Sequence, residues 1–197
     1  MAGTPASERA PETALLRAVA EGDAAAAEAL VGRFWNDAYR VGFLLLHDQG
    51  AAEDVAQDAL LGAIESIQSF DLGRPFRPWL ERIAANKALD RLRRSRRRPE
   101  LIVDQAEFGA WDSDAEAADA IAREALPDEL MDALARLDSD FRSAIVLRHL
   151  LDYEPQEIAE MVGVPASTVR TRIHRGLTQL RNELINDEGV RADERLG

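Results

Sequence analysis

The chain has 197 residues, with 24 lysines and arginines against 36 aspartates and glutamates, a formal net charge of −12, and no cysteine. That length holds one or two domains with modest cores, and the missing cysteines exclude disulfides, thiolate zinc sites and a cysteine nucleophile. No run is long enough to span a membrane, and the opening MAGTPASERAPE carries acids and no apolar signal core, so a cytoplasmic protein without membrane insertion is expected.

Hydrophobic residues make up 46% of the chain and prolines number eight, the balance of a folded protein. The apolar positions recur at helical rather than alternating spacing, so the expected class is all-α. Charge is segregated along the sequence. The first seventy residues hold eleven acids against four arginines, residues 74–98 hold ten basic residues against two acids, and residues 99–126 hold eight acids against Arg123. Such a protein approaches free duplex DNA poorly and does better once a partner offsets its acidic parts.

In chain order, residues 1–11 read as a disordered leader and Pro11 to Ala20 as a short helix, broken at Gly22-Asp23 with Asp23 as the next N-cap. Ala27, Leu30, Phe34, Val41 and Leu45 mark the buried stripe of a long helix, and His47-Asp48-Gln49-Gly50 is a turn. His47 reads as a loop histidine, because no second histidine stands at metal spacing. Ala51 to Ser69 is a third helix with Val55, Ala56, Ala59, Leu60, Ala63 and Ile67 inward. Asp54, Gln57, Asp58, Leu61 and Glu65 share its other side. Two readings stand for that side: a solvated acidic face, or a docking face for a basic partner anchored by Leu61. It assembles no metal site, since Glu53, Asp54 and Asp58 lack a histidine or further ligands.

Gln68 to Arg74 is a loop, and Pro75-Phe76-Arg77-Pro78-Trp79 leads into a fourth helix with Leu80, Ile83, Ala84 and Ala88 inward. Arg82, Asn86 and Arg93 face out together, and the helix runs into the arginines of 91–98. An arginine run also suits a helix C-terminus for its dipole alone, and Trp79 is equally a core residue. Together, though, arginine, amide and aromatic side chains suit a nucleic-acid strand with unstacked bases. Residues 99–126 form an acidic linker. Pro127 opens a helix carrying Leu130, Leu134 and Leu137, and Asp138 caps the next, with Phe141, Ala144, Ile145 and Leu151. Residues 186–197 read as a polar tail.

Pro155 to Arg181 reads as two helices across a tight turn: Pro155 at a first helical position, Gly163 at the helix end, Val164 in the corner, and Pro165 restarting the chain. Val169, Ile173, Leu177 and Leu180 form the expected buried stripe of the second helix. Thr168, Thr171, Arg175 and Thr178 point away from it, with Ser167 and His174 beside them and Arg170 and Arg172 on the flanks. No acid occurs from Pro165 to Arg181. Hydroxyls and guanidinium groups on an outward face are what base edges and phosphates of a major groove require, so a helix-turn-helix is expected rather than a merely solvated helix. One basic surface thus suits duplex DNA and the other an opened strand, as at a promoter being melted. A two-domain helical repressor or activator that binds duplex operator unaided is the rival. No nucleophile–base pair or metal set can be assembled, so neither an enzyme nor a cofactor is expected.

Three stretches, AEDVAQDALLGAI (52–64), FDLGRPFRPWLERIAANKALDRLRR (70–94) and EIAEMVGVPASTVRTRIHRGLTQLR (157–181), resemble in their order those of extracytoplasmic-function sigma factors. The resemblance covers about residues 12–184. It implies a region 2 helical domain at 12–98, an acidic linker at 99–126 and a region 4 helix-turn-helix at 127–184. It further implies that Asp54, Gln57, Asp58 and Leu61 meet the clamp helices of the largest subunit of core RNA polymerase. Phe70, Arg74, Arg77, Trp79, Arg82, Asn86 and Lys87 would engage the melted minus-ten element, with Asn86 and the preceding loop capturing flipped bases. Ser167, Thr168, Arg170, Thr171, Arg172, His174 and Arg175 would engage the minus-thirty-five element, Arg172 and Arg175 foremost. An anti-sigma factor would occlude both modules. The sequence departs from the family pattern where Asp152, Glu154 and Pro155 replace a glycine, a serine hydroxyl cap and an aromatic. It departs again at Ser167, where glycine is frequent, and at Gly62-Ala63-Ile64, where bulkier residues are common.

Overall fold

A computed structural model of the protein describes residues 6–97 and 126–194. The described residues form eight α-helices and no strand: α1 Ala6–Ala20, α2 Ala24–Leu46, α3 Gln49–Ser66, α4 Phe76–Arg97, α5 Asp128–Arg136, α6 Ser139–Ile145, α7 Pro155–Val162 and α8 Ala166–Glu194. A 3₁₀ turn, Ile67–Ser69, follows α3, and a π-helical turn, Val146–Leu150, continues α6. Two compact units emerge. One holds the residues up to Phe43 together with Asp48–Ala88; the other holds Leu44–His47 together with the residues from Leu89 on. The division falls inside α4, ahead of the arginine run. The expected linker, residues 99–126, lies outside the described residues except for Leu126.

The first unit is built on small residues. Ala52, Ala56, Ala59 and Ala63 of α3 and Ala84, Ala85 and Ala88 of α4 are wholly buried, which lets helix backbones approach closely. Gly42 of α2 is the tightest point: a Cβ there would stand 3.0 Å from the Ala52 Cα and 3.2 Å from the Val55 Cβ. Leu30, Phe34, Val41, Leu60, Phe76 and Leu80 fill the remaining core. α1 starts five residues earlier than expected and contains Pro11; its Leu16 and Val19 are buried. Gly22, at φ 88°, makes the turn into α2. Asp23 caps α2, its Oδ1 accepting from the Ala25 and Ala26 amides at 2.9 and 3.2 Å. Asp48 does the same for α3, accepting from Ala51 N at 2.7 Å, so that helix begins at Gln49 and not at Ala51.

In the second unit α8 packs against α5, α6 and α7. The core groups Ala133, Leu134, Leu137, Ile145 and Leu180, flanked by Leu126, Leu130, Leu150 and Leu184. Asp138 caps α6 through Asp140 N at 2.8 Å. Arg142 and Ser143 are buried polar residues in α6. Arg142 is satisfied by the Leu45 and Ala135 carbonyls, to which Nε and Nη1 donate at 3.1 and 3.2 Å; burial pulls its pKa down, partly offset by Asp138. The helical backbone of α8 runs on to Glu194, so the expected tail from 186 continues the helix through that residue.

Candidate nucleic-acid interface

The turn between α7 and α8 takes the expected form. Gly163 adopts φ 72° and ψ 36°, and its amide donates to the Ala159 carbonyl at 2.9 Å, the left-handed helix end that glycine adopts without penalty. The Pro165 carbonyl accepts from Thr168 and Val169 at 2.9 and 3.1 Å, opening α8. The family's missing hydroxyl cap on α7 is replaced by carboxylates: Glu154 and Glu157 form a reciprocal capping box, with Glu154 N donating to Glu157 Oε2 at 2.8 Å.

α8 sits deeper on its neighbours than apolar spacing indicates. Val169 and Leu180 are buried, as expected, but Leu177 is 40% exposed and leaves the expected stripe. Gly176 takes its place. A Cβ there would meet the Ile145 Cδ1 at 2.8 Å and the Phe141 Cβ at 3.1 Å, so α8 is rotated to bring its backbone onto α6. A count of apolar side chains passes over a residue that has none. The available signal was its cost, since glycine inside a helix is about 1 kcal/mol worse than alanine and its presence there marks a close approach.

The rotation leaves Ser167, Arg170, Thr171, His174, Arg175 and Thr178 exposed on one side, with Thr168 half-buried. Thr171 and Thr178 donate their hydroxyls back to the Ser167 and His174 carbonyls at 3.0 Å each, so they present acceptor oxygens and methyls outward. Arg172 departs from this group. Its side chain is 22% exposed and pairs with Asp140 Oδ2 at 2.6 Å. The other Asp140 oxygen takes Arg96 at 2.5 Å, and Arg96 also donates to Ser139 Oγ at 2.6 Å. Arg93, expected to face out beside Asn86, instead donates to the Met161 carbonyl at 2.7 Å and pairs with Asp90.

In the first unit, the loop before α4 is folded on itself by Asp71, which accepts from Gly73 N through Oδ1 and from Arg74 N through its carbonyl, both at 2.9 Å. Arg74 is exposed, 3.5 Å from Asp71. Phe70 is 9% exposed, its ring 5.6 Å from Phe76 and 4.8 Å from Trp79. Phe70 therefore packs into the aromatic cluster beside the loop. Trp79 is half-buried on the same cluster, 5.5 Å from Phe76, and Phe34 completes it at 4.8 Å from Phe76. Burying Phe76 completely is worth about 1.5–3 kcal/mol, so the cluster is a substantial anchor for the start of α4.

Above this anchor Arg82 and Asn86 are exposed and Lys87 is half-buried. Arg77 remains 60% exposed while pairing with Asp37 at 3.0 Å. Beside it Arg40 meets Glu81 at 3.1 Å. Burial pushes the Asp37 carboxyl above its ordinary range, opposed by Arg77 and Arg40; burial raises Glu81 too, opposed chiefly by Arg40. Neither acid was singled out from the sequence, since each lies among helix residues with no motif to mark it. On α3, Asp58, Leu61 and Glu65 are exposed, Leu61 by 52%, with Asp54 and Gln57 half-buried beside them. Among the described residues no group of three or more histidines, cysteines or acids could hold a metal ion, and no helix is long and apolar enough to cross a membrane.

Residues 30–98 match Sigma-70 region 2 and residues 128–180 match Sigma-70 region 4. The chain is 31% identical over 179 residues to the ECF RNA polymerase sigma factor SigW of Bacillus subtilis, covering 86% of this chain and 94% of the relative. It is 32% identical over 187 residues to the ECF RNA polymerase sigma-E factor of Haemophilus influenzae, covering 90% and 97%. Among solved structures it is similar to CnrH in complex with the cytosolic domain of CnrY, with TM-score 0.50, 26% identity and coverage of 89% and 97%. Its fold is also that of sigma factor RpoE of Bartonella quintana, solved with the anti-sigma factor NepR, at TM-score 0.51, 24% identity and coverage of 77% and 92%. The chain belongs to the extracytoplasmic-function family of RNA polymerase sigma factors, which direct the polymerase to particular promoters and stabilise the opened minus-ten strand in transcription initiation.

Proposed function

We propose that the three surfaces divide the work of initiation as follows. Asp54, Gln57, Asp58 and Leu61 dock on the clamp helices of core polymerase, the carboxylates meeting basic residues and Leu61 serving as the apolar anchor. Arg74, Arg77, Arg82, Asn86 and Lys87 hold the melted minus-ten strand, with Trp79 beside them and Phe70 beneath. Ser167, Thr168, Arg170, Thr171, His174 and Arg175 engage the minus-thirty-five duplex. Arg175, free of the ion pair that occupies Arg172, is the principal base reader, and Arg172 would join it only on leaving Asp140. The protein makes and breaks no covalent bond itself and works in the cytoplasm, where promoter DNA and polymerase are. A protein partner covers these surfaces until a signal arrives, in keeping with CnrH, which was solved bound to another protein's cytosolic domain.

The observation that carries this reading is the exposed face of α8 from Ser167 to Thr178, in a stretch without acids up to Arg181, on a chain of net charge −12. Such a helix is built to meet DNA, while the whole molecule is too negative to do so unaided. The test is a gel shift with a duplex promoter taken from run-off transcription of a genomic library. Weak binding alone and strong binding with core polymerase are expected; tight binding to an intact operator without polymerase points to the repressor reading instead. Asp54→Arg with Asp58→Arg should abolish co-purification with core polymerase at unchanged helicity, and undiminished co-purification would rule out the α3 face.

A further inference from the structure

Pro75, the residue before α4, carries no side-chain acceptor that could cap the helix. Asp71, the nearest upstream acid, is already engaged with Gly73 and Arg74 inside the loop. A helix N-terminus leaves its first amides without intrahelical partners. The Phe76 amide finds its acceptor in another element: Glu12 of α1, whose Oε1 lies 3.3 Å away. The Glu12 side chain is 13% exposed, and its other oxygen lies 3.5 Å from Arg33, whose guanidinium sits 5.4 Å from the centre of the Phe34 ring. Phe34 in turn packs edge-on against Phe76. α1 also packs on the 3₁₀ turn Ile67–Ser69 at the other end of the same loop. One helix therefore holds both ends of residues 70–75, and Glu12 is the polar group through which it holds the downstream end.

We infer that Glu12 is a positioning residue for minus-ten recognition, fixing the loop and the first turn of α4 in the shape that receives an unstacked base. This rests on the minus-ten role proposed above for the α4 surface. A carboxylate is suited to the task because it both accepts from the helix amide and lies at the positive end of the helix dipole. Glutamine keeps the acceptor and loses the charge, so it should largely substitute; alanine keeps neither.

The experiment uses holoenzyme reconstituted from core polymerase and the full chain. Open-complex formation is measured on a duplex promoter and on variants with single substitutions in the minus-ten element. The quantity read is the ratio of the rate on the preferred sequence to the rate on the most sensitive substitution. Glu12→Ala should narrow this ratio about fivefold, which at 1.4 kcal/mol per decade is about 1 kcal/mol, and Glu12→Gln should restore most of it. Should Glu12→Ala not fold, Glu12→Met, of similar size and with no acceptor oxygen, carries the same expectation. Asn86→Ala serves as the reference for the underlying reading. If Asn86→Ala narrows the ratio while Glu12→Ala slows every promoter equally, Glu12 is only a brace for the fold and the inference is overturned. If neither variant changes the ratio, the minus-ten role of the α4 surface fails, and the inference with it.

Discussion

The two surfaces proposed to touch DNA are made in opposite ways. That of the second unit is one face of one helix: Ser167, Arg170, Thr171, His174 and Arg175 follow from the register of α8 alone. That of the first unit is assembled. Its loop is held by α1, its aromatic floor comes from α2, the loop and α4, and its Arg77 is tethered by Asp37 of α2. A surface carried by one helix should fail when that helix is displaced. An assembled surface should fail by losing discrimination while the fold persists.

The largest effect expected is on the helix-borne surface. Gly176→Leu drives a branched side chain into the contact with Ile145 and Phe141 and should destabilise the second unit by about 1–3 kcal/mol or more, read from urea unfolding, with loss of upstream promoter binding. Gly176→Ala separates backbone approach from bulk. Its Cβ meets the far end of the Ile145 side chain, which can turn aside, and the Phe141 Cβ at 3.1 Å, which yields only if α6 shifts by a few tenths of an ångström; the gain of about 0.5–1 kcal/mol of helix propensity offsets that shift, so a net change near zero is expected. A large loss from alanine would mean that the helices cannot give even a few tenths of an ångström.

Next come the two base contacts, which should dissociate cleanly if the surfaces are separate. Arg175→Ala should cost about 1–3 kcal/mol on the correct minus-thirty-five sequence and relax preference there; a uniform loss on all sequences would reassign it to a phosphate. Asn86→Ala should slow opening of a duplex promoter and be rescued on a pre-melted template, as permanganate footprints would show. Equal defects on the two templates would remove the strand-capturing role from Asn86.

This contrast also explains what was legible beforehand. Helix periodicity, the Gly163–Pro165 corner, the Asp23 and Asp138 caps and the acid-free first half of α8 are local patterns, and all-α architecture followed from them. The packing of Phe70 on Phe76 and Trp79 was not legible, because an aromatic in a basic loop has the same local signature whether it is exposed or packed. Leu177 was misplaced because a glycine could take the buried position. Arg172 and Arg93 had the right spacing for an outward face, but Asp140 and the Met161 carbonyl, each more than thirty residues away in sequence, draw them aside. Glu12, Asp37 and Glu81 carry no motif, and their meaning comes entirely from tertiary placement.

The smallest expected effect tests the tether itself. Asp37 and Glu81 hold protons more readily in the folded protein than their ordinary values of 3.8 and 4.5 imply, chiefly because burial penalises their charge. Between those values and the raised ones the folded state carries the extra protons, so stability from this pair is greatest on the acid side of the window and declines as pH rises through it. Asp37→Asn with Glu81→Gln removes that titration while keeping the shapes and hydrogen-bonding oxygens. Measured by urea midpoint at a series of pH values, the wild type should therefore lose ground to the double variant from the acid side of the window to neutrality. Parallel curves would mean that Arg40 and Arg77 balance the burial of their partners, and a wild type that gains with rising pH would mean that they outweigh it. In either outcome a DNA phosphate competes with Asp37 for Arg77, because the Asp37 side chain is only 13% exposed and its charge is supported by that guanidinium.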